Sequence, residues 1–382
     1  MKFIKIEAKS FLNAINWATR SFDPKDSKAY VALTVDSDGS AYLSHSNYTS
    51  HMKAPFDLNG VDLDGEETYQ VALDGRFMQR LTGAISQGEL TLKNSKSGLI
   101  LTSSAGKFTI PTLNSRITKT PEVLTVGSVS AIDYFDTLSR LAKVCDPASA
   151  GLSPALGTVN ILIDEEEEEI TMMATDRWAL SEAVIDFTPG EDLEKCADVM
   201  KSFLFTYESA ILVNSKEPES IELIFEPTSQ KFGYRFNDGR IALFGLKQET
   251  PLSYGSIKEG AYSNVPSNIW VSTKDLQKAI TAISNLDYLG VLIKLKLTED
   301  SIEISDSSGS NKMEIDVISG EVEEDCEVVF VRAVINKIFA PVSTAKVAVK
   351  FSDNSSPFVF EPVLDNDIEA DNIFVLALPK KS

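Results

Sequence analysis

A handful of residues in this 382-residue chain have types that could do chemistry, and each is weighed by what that chemistry needs. His45 and His51 are the only histidines. They fall on adjacent strands of an expected hairpin with no cysteine nearby, so they read as satisfied or solvated surface side chains, not metal ligands. Cys145, Cys196 and Cys326 are far apart and in no CxxC pair, which leaves neither a disulfide framework nor a zinc site. The acidic run Asp164 to Glu169 lies at an expected hairpin tip, where six like charges are best kept in water rather than closed around a cation. Ala105-Gly106-Lys107-Phe108 has the outline of a phosphate loop, but Phe follows the lysine and no glycine stands five residues before Gly106. No arrangement for catalysis survives, and no metal or cofactor is called for. An enzyme built from scattered carboxylates finds no support.

What remains is recognition chemistry. In the stretch MMATDRWALSEAV, Met172 to Val184, a strand with alternating apolar residues runs into the turn Thr175-Asp176-Arg177-Trp178 and out into a second alternation from Leu180. Arg177 and Trp178 set a charged fork beside a flat apolar face, the residue types enriched where one protein grips another. The plainer alternative is that Trp178 caps a core and Arg177 is solvated.

The elements that would position such a turn follow from periodicity. Six windows read as amphipathic helices: 9–22, 74–86 with Asp74 as N-cap, 128–145, 195–209, 272–286 and 331–343. Between them lie alternating strands, including Tyr30 to Val35, Ala41 to Ser46, Val159 to Ile163, Ile170 to Ala174, Lys346 to Phe351, Phe358 to Pro362 and Ile373 to Leu378. The order of strand, helix and strands recurs, with units beginning near Met1, Ser128 and Ile269. Boundaries fall in the polar, turn-like stretches Thr120-Pro121 and Glu259-Gly260. The expectation is an α+β protein of three repeated domains, 1–120, 121–260 and 261–382, each with two helices on antiparallel sheets.

The formal charge of −20 argues against a nucleic-acid partner only if it is uniform. The six helix windows hold 12 Lys+Arg against 6 Asp+Glu, leaving about −26 for the rest of the chain. Basic helices could line a channel that draws in a polyanion, or could simply be ordinary solvated faces. No run approaches the roughly 18 apolar residues of a membrane span, and the Met1 segment is too short and charged for a signal peptide. The chain reads as a soluble, reduced, intracellular and cytoplasmic protein.

Four stretches resemble the bacterial replicative sliding clamp, the β subunit of DNA polymerase III. They are MKF followed by a helix ending WATRSF, FTIPTL, ATDRWAL, and SPFVFEP with the closing FVLALPKKS. The resemblance implies a ring of two head-to-tail copies with six similar domains. Helices would line the hole and acidic strands would form the rim. Such a ring is a processivity factor and not an enzyme: it encircles duplex DNA without sequence preference, is opened by a clamp loader, and tethers the replicative polymerase. DNA-facing residues would be Arg20, Lys25, Arg76, Arg80, Arg140 and Lys143, with Lys201, Lys274, Lys278, Arg332 and Lys337. Leu286 falls where the family makes part of its subunit contact.

The resemblance also implies a groove for short peptides with apolar anchors, between the second and third domains. Leu156, Thr175, Arg177, Trp178 and Leu180 would form one wall, with Tyr254, Ser256 and Ile257 from the link to the third domain. Leu376, Ala377, Leu378, Pro379 and Lys381 would come from the tail. Ala179 and Ser256 stand where the family often has a basic residue, and the Lys380-Lys381-Ser382 ending replaces an apolar-Arg-Leu one. Those departures imply a different peptide preference, as in a clamp serving a phage or another divergent replicon. The competing function is an acidic DNA mimic that inhibits a DNA-processing protein, motivated by the −20 charge.

Overall fold

Short runs of alternating or continuous apolar residues dominate the sequence, and the computed structural model pairs them into antiparallel ladders with helices laid against them. It describes residues 1–23, 26, 29–85, 87–95, 98–151, 153–213, 220–247, 255–263, 265–286, 290–339, 342–370 and 373–379. Among these stand eight α-helices: α1 (Ala8–Ala18), α2 (Gly75–Ala84), α3 (Ala131–Ala142), α4 (Leu193–Met200), α5 (Tyr207–Leu212), α6 (Gly255–Tyr262), α7 (Thr273–Leu286) and α8 (Arg332–Lys337).

The chain divides into two compact units. One takes in Met1–Ser130, Pro189–Cys196 and Pro218–Leu246; the other Ala131–Thr188, Ala197–Glu217 and Lys247–Ser382. In the first, a five-stranded sheet is built from residues 3–110. A second sheet runs, in spatial order, through Thr68–Asp74, Tyr30–Asp36, Ala41–Ser46, Ser50–Pro55, Ile241–Gly245, Lys231–Arg235, Ser220–Glu226 and Leu124–Ser130. The pairing of Ser50–Pro55 with Ile241–Gly245 therefore joins segments from either side of residue 120. Helix α1 seals this unit: Phe11 meets Phe56 edge to face at 5.1 Å, and the Trp17 indole donates to the Ile241 carbonyl at 3.0 Å. Asp74 caps α2 as its position implies, accepting from the Phe77 amide at 2.8 Å.

The second unit holds a twelve-stranded sheet. Its order begins Ser202–Thr206, Thr158–Asp164, Glu169–Thr175, Ala179–Asp186, Ile373–Ala377, Phe358–Val363, Lys346–Phe351 and Ser267–Ser272. Lys312–Glu321 then bends from Ser267–Ser272 to a new partner, Ser301–Asp306. Gly320 lies in the part still paired with Ser267–Ser272 and permits close backbone approach there: its φ is +134°, and a Cβ would meet the Asn268 carbonyl oxygen at 2.2 Å.

Three expectations change. The window 195–209 is not one helix, because Phe203, Leu204 and Phe205 are all buried in a strand paired with Thr158–Leu162, which separates α4 from α5. The continuous apolar triplet fits a two-sided buried strand better than a one-sided helix. Helix α8 ends at Lys337 rather than Ser343. The Glu259-Gly260 stretch is helical, being part of α6, whereas residues 114–123 are free of helix and strand.

The histidines are not on the surface. His45 and His51 are both buried, and the His45 ring pairs with the Tyr30 carbonyl at 2.8 Å. His51 has no hydrogen-bond partner for either nitrogen among the described residues. Burial, aided by Lys231, Lys53 and His45 and opposed by Glu226, pushes its pKa from 6.5 down to about 4. The unfolded chain takes up this proton near pH 6.5 and the folded one only near 4, so stability falls as pH drops through that window, by about 3 kcal/mol in all. His51→Leu removes this component, so urea midpoints measured from pH 7 to pH 4 fall less steeply than in the parent. Parallel curves for the two proteins would exclude His51 as the source.

Candidate partner-binding site and basic helix faces

The turn at Asp176 to Trp178 is built by its own side chains. Asp176 Oδ1 accepts from the Trp178 amide at 3.0 Å and the Ala179 amide at 2.7 Å. Thr175 Oγ1 donates to the Ala179 carbonyl at 2.7 Å and accepts from the Arg177 amide at 3.1 Å. These four bonds hold Arg177 at φ +82°, a left-handed conformation that costs a residue with a Cβ about 1 kcal/mol. They also present Trp178 with 49% of its surface exposed.

Around the turn the structure gathers many of the expected residues. The Leu378 amide donates to the Trp178 carbonyl at 2.8 Å, and Ala377 lies opposite Ala179 and Leu376 opposite Leu180 in the ladder. Leu180 is buried with Met173, Ala261 and Val359, and Leu162, Tyr262 and Leu378 pack against that cluster. Leu156 is buried in the short 3-10 turn Pro154–Gly157, which packs on the neighbouring strands Thr158–Asp164 and Glu169–Thr175. Pro379 is buried too. Ser256 and Ile257 stand exposed on α6 rather than in an irregular link. Tyr254 and Lys381 lie outside the described residues.

Periodicity gave no sign of what anchors α6. Lys258 pairs with Glu182 at 2.5 Å, and the Tyr262 hydroxyl donates to Glu361. Burial and the Glu361 hydrogen bond hold the Tyr262 phenol well above its usual pKa. Glu361 also pairs with Lys350, whose ammonium reaches Glu369 at 2.7 Å. The ammonium's pKa is lowered by burial but raised overall by the two carboxylates.

The basic residues separate by environment. Lys9, Asn13, Asn16 and Arg20 form an exposed stripe along α1 and its end, with the Arg20 guanidinium 4.8 Å from the Trp17 ring. Arg80, Lys143, Lys201, Lys274 and Lys278 are exposed as well. Arg76, Arg140 and Arg332 are half-buried and bonded to their own chain, to the Asp23 carbonyl, Ser343 Oγ and the Ser284 carbonyl respectively. Lys337 turns inward to Asp176 at 2.6 Å, away from any outer face. Lys25 lies outside the described residues. With the observed helix bounds the eight helices carry 10 Lys+Arg and 7 Asp+Glu, so the excess narrows to +3, with α1, α2, α7 and α8 at +6 together against −3 on α3, α4 and α5.

No protein-family model matches the chain. The β sliding clamp of Micrococcus luteus is 20% identical over 313 residues, which cover 81% of this chain and 96% of that protein. The Bacillus subtilis DNA polymerase sliding clamp superposes with a TM-score of 0.82 at 15% identity, over 100% of this chain and 99% of its own. The fold is that of the bacterial sliding clamp. The Helicobacter pylori β clamp, bound to a DNA ligase peptide, covers both chains fully with a TM-score of 0.78 at 15% identity. Within the sliding-clamp fold the Asp176 turn, the strand Ile373–Ala377 and α6 belong to one unit, so the candidate site is defined inside it. No helix among the described residues is long and apolar enough to cross a membrane.

Arg177→Gly relieves the left-handed backbone and is expected to raise stability by a few tenths to about 1 kcal/mol. Thr175→Val removes two of the four turn bonds and is expected to lower it by about 1–2 kcal/mol. Urea unfolding of both variants checks the pair; the opposite order would mean that the turn is not strained as described.

Proposed function

We propose that the protein is a DNA sliding clamp: two copies close head to tail around duplex DNA, slide along it, and tether a replicative polymerase and other partners. The observation that carries this reading is the sliding-clamp fold along the whole chain together with a built, half-exposed Arg-Trp turn beside an apolar cluster. In this reading the chain comprises three modules, 1–120, 121–260 and 261–382, which share sheets laterally, and it acts in the cytoplasm without catalysing a reaction.

The exposed residues Arg20, Arg80, Lys143, Lys201, Lys274 and Lys278 supply the phosphate contacts, and Arg76, Arg140 and Arg332 contribute less because their donors are partly engaged. Binding is then sequence-independent and weakens with salt. Partners dock as short peptides whose apolar anchors fill the surface formed by Trp178, Leu378 and Ile257 over the buried Leu180.

Loading onto nicked circular DNA by a clamp loader, followed by linearisation, tests the topology. A clamp remains on the circle and leaves the line; a protein that ignores both would favour the DNA-mimic reading suggested by the −20 charge. Trp178→Ala removes an exposed aromatic anchor and is expected to weaken polymerase binding about 30-fold, the scale of a 2 kcal/mol hot spot, with the oligomer mass unchanged. Calorimetry giving equal affinities for parent and variant would move the partner site elsewhere.

A further inference from the structure

Lys337 is basic and sits at the last residue of α8, yet it is committed to the interior. Its ammonium contacts Asp176 Oδ2 at 2.6 Å and donates to the Val144 carbonyl at 3.1 Å. The two side chains are only 23% and 9% exposed. The other oxygen of the same carboxylate caps the Trp178 and Ala179 amides. One carboxylate therefore has two tasks, and its charge has one cationic partner within ion-pair distance among the described residues.

We propose that Lys337 is a positioning residue for partner binding, holding Asp176 so that the turn presents Arg177 and Trp178 in one fixed arrangement. This rests on the reading of that turn as the partner site. Without the ammonium, a largely buried carboxylate is left unpaired and must turn toward water. Turning outward withdraws Oδ1 from both amides, and of the four bonds that hold the left-handed Arg177 only the two from Thr175 are left. The Trp178 ring then loses its fixed position and a peptide must order it on binding, at a cost in affinity. Lys337 also reaches the carbonyl just beyond α3, and Arg140 of α3 donates to Ser343 at 2.8 Å. The ends of α3 and α8 are thereby tied to the turn through the same few polar groups.

The test uses the full chain with Lys337→Met, Lys337→Gln and the double variant Asp176→Asn/Lys337→Met, whose neutral carboxamide oxygen can still cap the amides. Hydrogen exchange reads the turn without any ligand. Calorimetry with a synthetic DNA ligase peptide of the kind bound by the Helicobacter pylori clamp reads the site. Lys337→Met is expected to speed exchange at the Trp178 and Ala179 amides at least tenfold while Thr158–Asp164 keeps its protection. Peptide affinity should fall at least tenfold, with Lys337→Gln intermediate and the double variant recovering most of the loss. Exchange at the parental rate in both single variants, or a double variant as weak as Lys337→Met, would overturn the proposal. A parent that leaves the peptide unbound would sink the partner-site reading, and the exchange measurement would still decide whether Lys337 holds the turn.

Discussion

Every strand left at a sheet edge exposes a row of unpaired amides and carbonyls, and this chain meets that constraint by pairing segments distant in sequence. Ser50–Pro55 takes Ile241–Gly245 as its neighbour, and Ala179–Asp186 takes Ile373–Ala377. Each pairing merges hairpins that would otherwise end in open edges. The candidate site inherits its geometry from the second of these, because the ladder sets Leu376 opposite Leu180 and brings the Leu378 amide to the Trp178 carbonyl. A one-residue slip would reverse which side chains face the Met173–Val359 cluster.

Charge is organised more locally than the net −20 implies. α1, α2, α7 and α8 hold the basic excess, while α3, α4 and α5 are net acidic and α6 is neutral. Exposed cations also stand just past helix ends, Arg20 beyond the basic α1 and Lys143 and Lys201 beyond the acidic α3 and α4. The acidic run Asp164 to Glu169 spans the tip of the hairpin formed by Thr158–Asp164 and Glu169–Thr175, where water screens it.

Much of this was legible in the residues. Alternation located the strands 30–36, 41–46, 158–164, 169–175 and 346–351 to within a residue or so, and the Thr-Asp-Arg-Trp turn stands where the pattern breaks. Asx chemistry at Asp176 could have been read from its place before a turn. Three things could not. Ser202–Thr206 is buried on both faces, so its apolar triplet carries no period. The inward course of Lys337 depends on Asp176, 161 positions away, and a long flexible side chain on a helix gives no sequence sign of which way it turns. The anchoring of α6 through Lys258 and Tyr262 likewise needs acidic partners on strands remote from it.

The strand Ile373–Ala377 lies between Ala179–Asp186 and Phe358–Val363, neighbours that leave the ribosome earlier than it does. Until those late residues emerge, the two flanking strands face an empty slot, and closing it requires a loop of nearly 190 residues to be drawn in. The candidate partner surface around Trp178 therefore cannot assemble until residues 373–377 have been made. A ribosome-bound or prematurely terminated chain would lack it, and would expose two sticky sheet margins to chaperones or to aggregation instead.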